Sequence, residues 1–194
     1  MYWKNIKFAY QIALRTKYIS LFNVLGLSIG LACTLFLLSW VSNELSFDSF
    51  FNNKENIYRL NFNGEINSEY IKTCSSPQGI GPEALAVFPE VNNYTRIRMQ
   101  PRTPFKIEEN HFYIEEGLVA DSTFFSVFSF KALIGDLSQS LNRKDLVVID
   151  QYLAEKCFGS ENAIGKLINI GNQDYTVSAV IKNIPRNSHL QFHY

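Results

Sequence analysis

The residues of this chain that could do chemistry fall into four small groups, and each can be tested against the geometry its chemistry would need. Gly159-Ser160-Glu161-Asn162-Ala163-Ile164-Gly165-Lys166-Leu167 comes nearest to a phosphate-binding loop. Such a loop needs four residues between its glycines and a hydroxyl after the lysine to hold magnesium. Here five residues separate the glycines, Leu167 follows Lys166, and the segment follows a helical pattern instead of joining a strand to a helix. The histidines His111, His189 and His193 include one i,i+4 pair, but no cysteine or H-E-x-x-H pattern joins them to make a metal set, and His193 reads as a surface residue. Ser188-His189 are sequence neighbours, which is not how a nucleophile meets its base, and no G-x-S-x-G turn exists. The pairs Glu108-Glu109 and Glu115-Glu116 read as solvated strand ends. No catalytic, metal or cofactor-binding residue is therefore expected.

The elements that must carry these residues begin with a membrane helix. No charged side chain occurs from Tyr18 to Asn43, and the 23 residues Ile19 to Val41 are almost wholly apolar. A helix rises about 1.5 Å per residue, so roughly 20 residues cross the hydrocarbon layer with every backbone hydrogen bond closed inside the segment. The overall mean hydropathy of -0.06 conceals this. The formal net charge of zero hides a similar asymmetry: residues 1–17 hold Lys4, Lys7, Arg15 and Lys17 with no acid, whereas the remainder holds 14 bases against 18 acids. Basic residues beside a span stay on the cytoplasmic side, so these four set the topology and residues after about 43 are exported. A signal peptide has a similar start, but this apolar core is too long and Ser39-Trp40-Val41-Ser42 offers no small-x-small cleavage site.

Two features of the membrane segment go beyond anchoring. Trp3, Ile6, Tyr10 and Leu14 recur at three- and four-residue intervals among the bases, consistent with a short helix on lipid headgroups, and equally with a basic flank that only sets topology. Within the span, Asn23, Gly26, Gly30 and Thr34 share one face; small residues let a second helix approach and an amide in hydrocarbon seeks a partner. Cys33 lies in the membrane, leaving Cys74 and Cys157 as the one pair available outside, with a buried free thiol the alternative for Cys157. The net acidic exported part argues against nucleic acid.

About 150 exported residues suffice for one sizeable core or two small lobes. Strands are expected at Ile57–Phe62, Tyr70–Thr73, Tyr94–Met99, Leu146–Ile149, Lys166–Ile170 and Tyr175–Ile181, with a hairpin of Phe105–Glu108 and Phe112–Glu115 about Glu109-Asn110. Helices are expected at Gly81–Phe88, after Asp121 as a cap for Phe124, Phe125 and Phe128, and at Gln151–Phe158 between the cap Asp150 and the stop Gly159. Gly171-Asn172 should turn the last hairpin. Strands and helices are interspersed without regular alternation, so the fold class is α+β.

The order of segments resembles a known family. The junction Trp40-Val41-Ser42-Asn43-Glu44-Leu45-Ser46-Phe47-Asp48-Ser49-Phe50, followed by Ile57-Tyr58-Arg59, looks like the place where the first membrane helix meets the exported domain in FtsX-like and MacB-like ABC transporter permeases. The resemblance continues through Phe88-Pro89-Glu90-Val91, Thr95-Arg96, Asp121 to Phe130, Lys156-Cys157-Phe158-Gly159, Ile164-Gly165-Lys166 and Ile184-Pro185-Arg186-Asn187-Ser188-His189. Family members often carry histidine where Phe51 stands.

This resemblance implies a permease subunit, not an enzyme, in a bacterial cytoplasmic membrane. Its parts would be a cytoplasmic basic amphipathic segment at 1–18, a transmembrane helix at 19–42 and a MacB-like periplasmic core domain at 43–194. Glu44, Leu45, Ser46, Phe47 and Asp48 would join membrane helix to core, and Ile164-Gly165-Lys166 would be a structural turn. ATP would be bound by a partner ABC ATPase subunit, with hydrolysis moving the periplasmic domain to export or release a substrate. Other permease helices, a second permease copy and membrane lipid would be the remaining partners. Because the family has several spans, the chain is expected to be either a fragment of a longer permease or a truncated product. The alternative is a membrane-anchored binding or sensor module without transport, using exposed aromatics such as Tyr2, Tyr70 and Tyr113.

Overall fold

The computed structural model describes residues 8, 10–11, 15–66, 68–107 and 110–194. Two compact units divide at Phe47/Asp48. The first holds helix α1 (Lys17–Leu45), 29 residues with none buried, running beyond the expected 19–42 span at both ends. Its extra residues include Lys17 and Glu44, whose charged ends can lie outside hydrocarbon while the backbone stays helical. The helix stops where Ser46 Oγ and Ser46 N both donate to Asn43 O, at 2.6 and 3.1 Å. The amphipathic pattern of Trp3, Ile6 and Leu14 lies outside the described residues.

The second unit is mixed α+β, as expected. Its strands are β1 (Phe62–Ile66), β2 (Glu69–Thr73), β3 (Ile97–Gln100), β4 (Thr103–Ile107), β5 (Asn110–Ile114), β6 (Gly117–Ala120), β7 (Ala132–Gly135), β8 (Leu146–Asp150), β9 (Leu167–Ile170) and β10 (Gln173–Ile181); its helices are α2 (Ile80–Val87), α3 (Phe124–Val127) and α4 (Gln151–Phe158). Six strands form the main sheet, in the order β5-β4-β9-β10-β7, with β8 lying parallel on the other edge of β10. The pairs β1-β2 and β3-β6 form two small antiparallel ribbons.

Local chemistry explains the elements nearest the sheet centre. Asp150 Oδ1 accepts from Leu153 N at 2.8 Å and so caps α4, while Gly159 adopts φ 61° and ends it. Gly171 and Asn172, at φ 59° and 69°, supply the left-handed pair that lets β9 turn directly into β10. A bulge interrupts the β8-β10 ladder between Val177 and Ala179. The extra residue, Ser178, shifts the alternation, so Val177 and Val180 enter one core cluster while Ala179 and Ile181 enter another. The first cluster seats Leu153 of α4 with Phe105, Ile149 and Ile168; the second gathers Phe124, Val148 and Phe192.

Several expectations are corrected. Residues 57–61 are not a strand: among the described residues they pair with no neighbouring segment, Tyr58 and Leu60 are exposed, and β1 begins only at Phe62. The third strand begins at Ile97 instead of Tyr94. Asp121 does not cap α3 through its side chain; Thr123 occupies the cap position and Phe124 N bonds the main-chain oxygen of Asp121 at 3.0 Å. The β4-β5 hairpin forms, with Glu108 and Glu109 outside the described residues. Strands β6 and β7, four residues each, carry too little periodic signal to be read from sequence.

Gly135 joins this fold at a tight point. Its φ is 91°, and an added Cβ would lie 2.8 Å from the main-chain oxygen of Ser178 at the bulge. Gly135→Ala should therefore destabilise the core domain by about 2–4 kcal/mol, combining left-handed strain with a backbone clash. Urea unfolding of the 194-residue chain in micelles measures this; an unchanged midpoint would mean that β7 need not approach β10 this closely.

Candidate functional site

The residues that looked able to do chemistry are spent on holding the domain together. In the segment from Gly159 to Leu167, Gly165 N donates to Val177 O at 2.8 Å and Lys166 N to Ala163 O at 3.1 Å. Lys166 Nζ pairs with Glu161 and lies 5.0 Å from the Phe158 ring centroid. Both amides are taken by protein carbonyls. Among the described residues no group of three or more His, Cys, Asp or Glu side chains could hold a metal ion.

The three histidines go to separate places. His111 stands opposite Lys106 across the β4-β5 hairpin. His193 is corrected from a surface residue to part of a largely buried pair: its Nδ1 lies 2.8 Å from Asp150 Oδ2, with the two side chains 30% and 5% exposed. Asp150 N also donates to His193 O at 2.9 Å, so one aspartate caps α4 and ties down the segment that follows β10. His193 N in turn donates to Glu116 O, and Leu118 N to Tyr194 O, both at 2.9 Å.

The most concentrated polar site joins the two motifs farthest apart in the chain. Asp48 Oδ1 accepts from Ser188 Oγ at 2.9 Å and from His189 N at 3.1 Å; Asp48 Oδ2 lies 2.7 Å from His189 Nδ1. Asp48 N completes the set by donating to Asn187 O at 2.9 Å. The carboxylate sits between serine and imidazole, whereas hydrolytic catalysis needs the imidazole between serine and carboxylate. The arrangement is a clasp, and Phe51 next to it is buried among Phe50, Phe128 and Phe130 at centroid distances of 4.2, 5.3 and 5.2 Å. An apolar aromatic at position 51 is what that pocket requires. Sequence had marked both Asp48 and Ser188-His189; their separation of 140 residues gave no sign that they meet.

Other expected residues occupy α1. At about 100° per residue, Asn23, Gly26, Gly30 and Thr34 fall within an arc of about 80°. A Cβ on Gly26 or Gly30 would meet nothing within 4 Å, and Thr34 Oγ1 donates to Gly30 O at 2.8 Å. Glu44 and Leu45 end α1, and Ser46 and Phe47 close its last turn. Of the four bases expected to set topology, Arg15 and Lys17 are described, with Lys17 Nζ 5.3 Å from the Tyr18 ring; Lys4 and Lys7 lie outside the described residues. In the second unit Tyr113 is 55% exposed, with the Arg102 guanidinium 4.3 Å from its ring centroid. All three cysteines are free thiols, and burial pushes the Cys157 thiol up to about 12.

Arg96, one of the motif residues, holds Asp121 with Nε and Nη2 each 2.8 Å from a carboxylate oxygen, and Arg96 N adds a third bond at 3.0 Å. Those hydrogen bonds keep the Asp121 carboxyl below its ordinary range despite the opposing effect of partial burial.

A family model described as the MacB-like periplasmic core domain matches residues 20–193. Among solved structures, the chain is similar to a permease-protein domain from Porphyromonas gingivalis, at 21% identity and a TM-score of 0.57, over 69% of this chain and 57% of that one. It is also similar to the periplasmic region of MacB from Actinobacillus actinomycetemcomitans, at 18% identity and a TM-score of 0.50, over 68% of this chain and 64% of that one. The chain thus spans 57% and 64% of these relatives, and likeness at such identities establishes the fold alone. No curated protein matches the chain.

Because Asp121 has a lowered folded-state pKa, its contribution to stability is present above the unfolded carboxylate range and is lost as pH falls through the folded value. Asp121→Asn should lower the melting temperature at pH 7, and its difference from wild type should shrink below about pH 4. A difference that stayed constant down to pH 2 in thermal melts would refute the linkage.

Proposed function

The chain belongs to the MacB-like periplasmic core domain family, and on that footing we propose that it is the N-terminal part of an ABC transporter permease. The family is non-catalytic, and the chain is not an enzyme. One N-terminal candidate membrane span precedes a periplasmic-type domain. On this reading a partner ATPase hydrolyses ATP in the cytoplasm, and α1 carries the resulting motion to the exported domain for export or release of a substrate. The observation that carries the proposal is the extent of the family match: it begins at residue 20, inside α1, and runs to residue 193, so span and core form one stretch of family sequence.

Residue roles follow from the same reading. Lys4, Lys7, Arg15 and Lys17 hold the N-terminus in the cytoplasm, with residues 1–18 on that side, the span near 19–42 and the core domain after it. The Asn23, Gly26, Gly30 and Thr34 face seats another helix, from a further span of the permease or a second copy. Glu44 to Asp48 hand the end of α1 to the core domain.

Two measurements test this. Full-length permease purified from native membranes should bring an ABC ATPase subunit with it; its consistent absence under mild detergent would overturn the transport reading. In intact cells, a membrane-impermeant maleimide should label the exposed Cys74, while Cys157, held as the thiol at neutral pH, should react far more slowly. Cys74 labelling only after lysis would reverse the orientation.

A further inference from the structure

Two aspartate–histidine pairs tie the core domain, and they differ in the ways that distinguish a permanent tie from a releasable one. Asp150 and His193 are largely buried, at 5% and 30% side-chain exposure, and Asp150 has the ordinary extended backbone of a helix cap. Asp48 and His189 are 32% and 72% exposed, and Asp48 is held at φ 52°. Left-handed backbone is disfavoured for an L residue and persists where surrounding bonds impose it. Water can compete for the two His189 bonds of the clasp, while Ser188, 4% exposed, bonds from the buried side, and loss of the clasp would also relieve the backbone.

We propose that the clasp of Asp48 with Asn187, Ser188 and His189 is a releasable latch at the point where the chain enters the core domain. The four bonds in it all run between Asp48 and three consecutive residues, so they form and break together. Behind the latch stands a second, firmer hold. Phe51 is 3% exposed in its aromatic pocket, and Asn52 N donates to Ser129 Oγ at 2.8 Å. With the latch open, only residues 48–50 can move before Phe51 takes the load. At 3.3–3.6 Å per residue that slack is at most about 10 Å. The latch therefore sets two states of the leading segment, short and extended, without disturbing β10. That this slack serves to transmit motion from α1 rests on the permease reading; the latch itself does not.

Residue-resolved hydrogen–deuterium exchange on the 194-residue chain in lipid nanodiscs tests the latch without any ATPase. In wild type the amides of Asp48 and His189 should exchange faster than those of Asp150 and His193. Asp48→Ala should accelerate the His189 amide tenfold or more, as expected for loss of bonds to a charged acceptor, while Asn52, Asp150 and Val177 stay at wild-type rates. Ser188→Ala, which removes one of the four bonds, should give a smaller acceleration at the same amides. Unchanged exchange at His189 in Asp48→Ala would overturn the proposal. So would acceleration that spreads equally to Asn52 and β10, or an Asp48→Ala chain that does not fold, because each makes the clasp part of the global core. Failure to recover an ATPase with the full-length permease would remove the transport role while leaving these exchange results intact.

Discussion

Strand β10 has hydrogen-bonded neighbours along both edges, β8 on one and β9 followed by β7 on the other, and its last three residues are buried on both faces. A strand in that position must place apolar side chains alternately above and below the sheet. The Ser178 bulge alters that alternation once, and the serine remains satisfied because its hydroxyl reaches Ser140 O at 2.7 Å and Val147 O at 3.1 Å. Two clusters result, one under α4 and one containing the phenylalanines of 124–130. Full burial of an aliphatic or aromatic side chain is worth about 1.5–3 kcal/mol, against about 0–1 for an exposed ion pair. The two clusters therefore hold the domain, and exposed pairs such as Arg102 with Glu115 adjust it.

The chain that follows β10 links the sheet to other segments of the domain, some firmly and one releasably. Asn187 to His189 meet Asp48, His193 meets Asp150 and Glu116, and the Tyr194 ring packs edge-on against Phe105 at 4.7 Å. Side chains that suggested hydrolase or metal chemistry are thus ties between segments distant in sequence. That agrees with a non-catalytic family, in which such side chains are left to serve packing and hydrogen bonding.

The part from Asn52 to Glu90 is built differently. None of its described residues is buried, and α2, although apolar, has no buried side chain. Among the points that fix it are the Asn52 N bond to Ser129 Oγ and Gly81, which lies so close to the Tyr94 ring that an added Cβ would approach within 2.6 Å. Fewer buried contacts mean that this region opens more readily than the sheet around β10.

What the sequence determined by itself was whatever depends on neighbouring residues. The uncharged run from Tyr18 to Asn43 specifies one long apolar helix, a candidate membrane span, because apolar side chains without an interrupting charge set its character locally. Asp150 and Gly159 specify both ends of α4, and Gly171-Asn172 the turn into β10, because caps and left-handed turns are chosen by side chains a few positions apart. The α+β class follows from the same local patterns. Tertiary structure decided the rest. Tyr58 alternates like a strand residue yet finds no pairing partner, and β6 and β7 become strands only because β3 and β10 lie beside them. Asp121 gives up the cap position to hold Arg96, His193 is drawn in to Asp150, and Asp48 meets Ser188 across 140 residues. Those outcomes depend on which segments packing around β10 brings within hydrogen-bond distance, and no local preference encodes that distance.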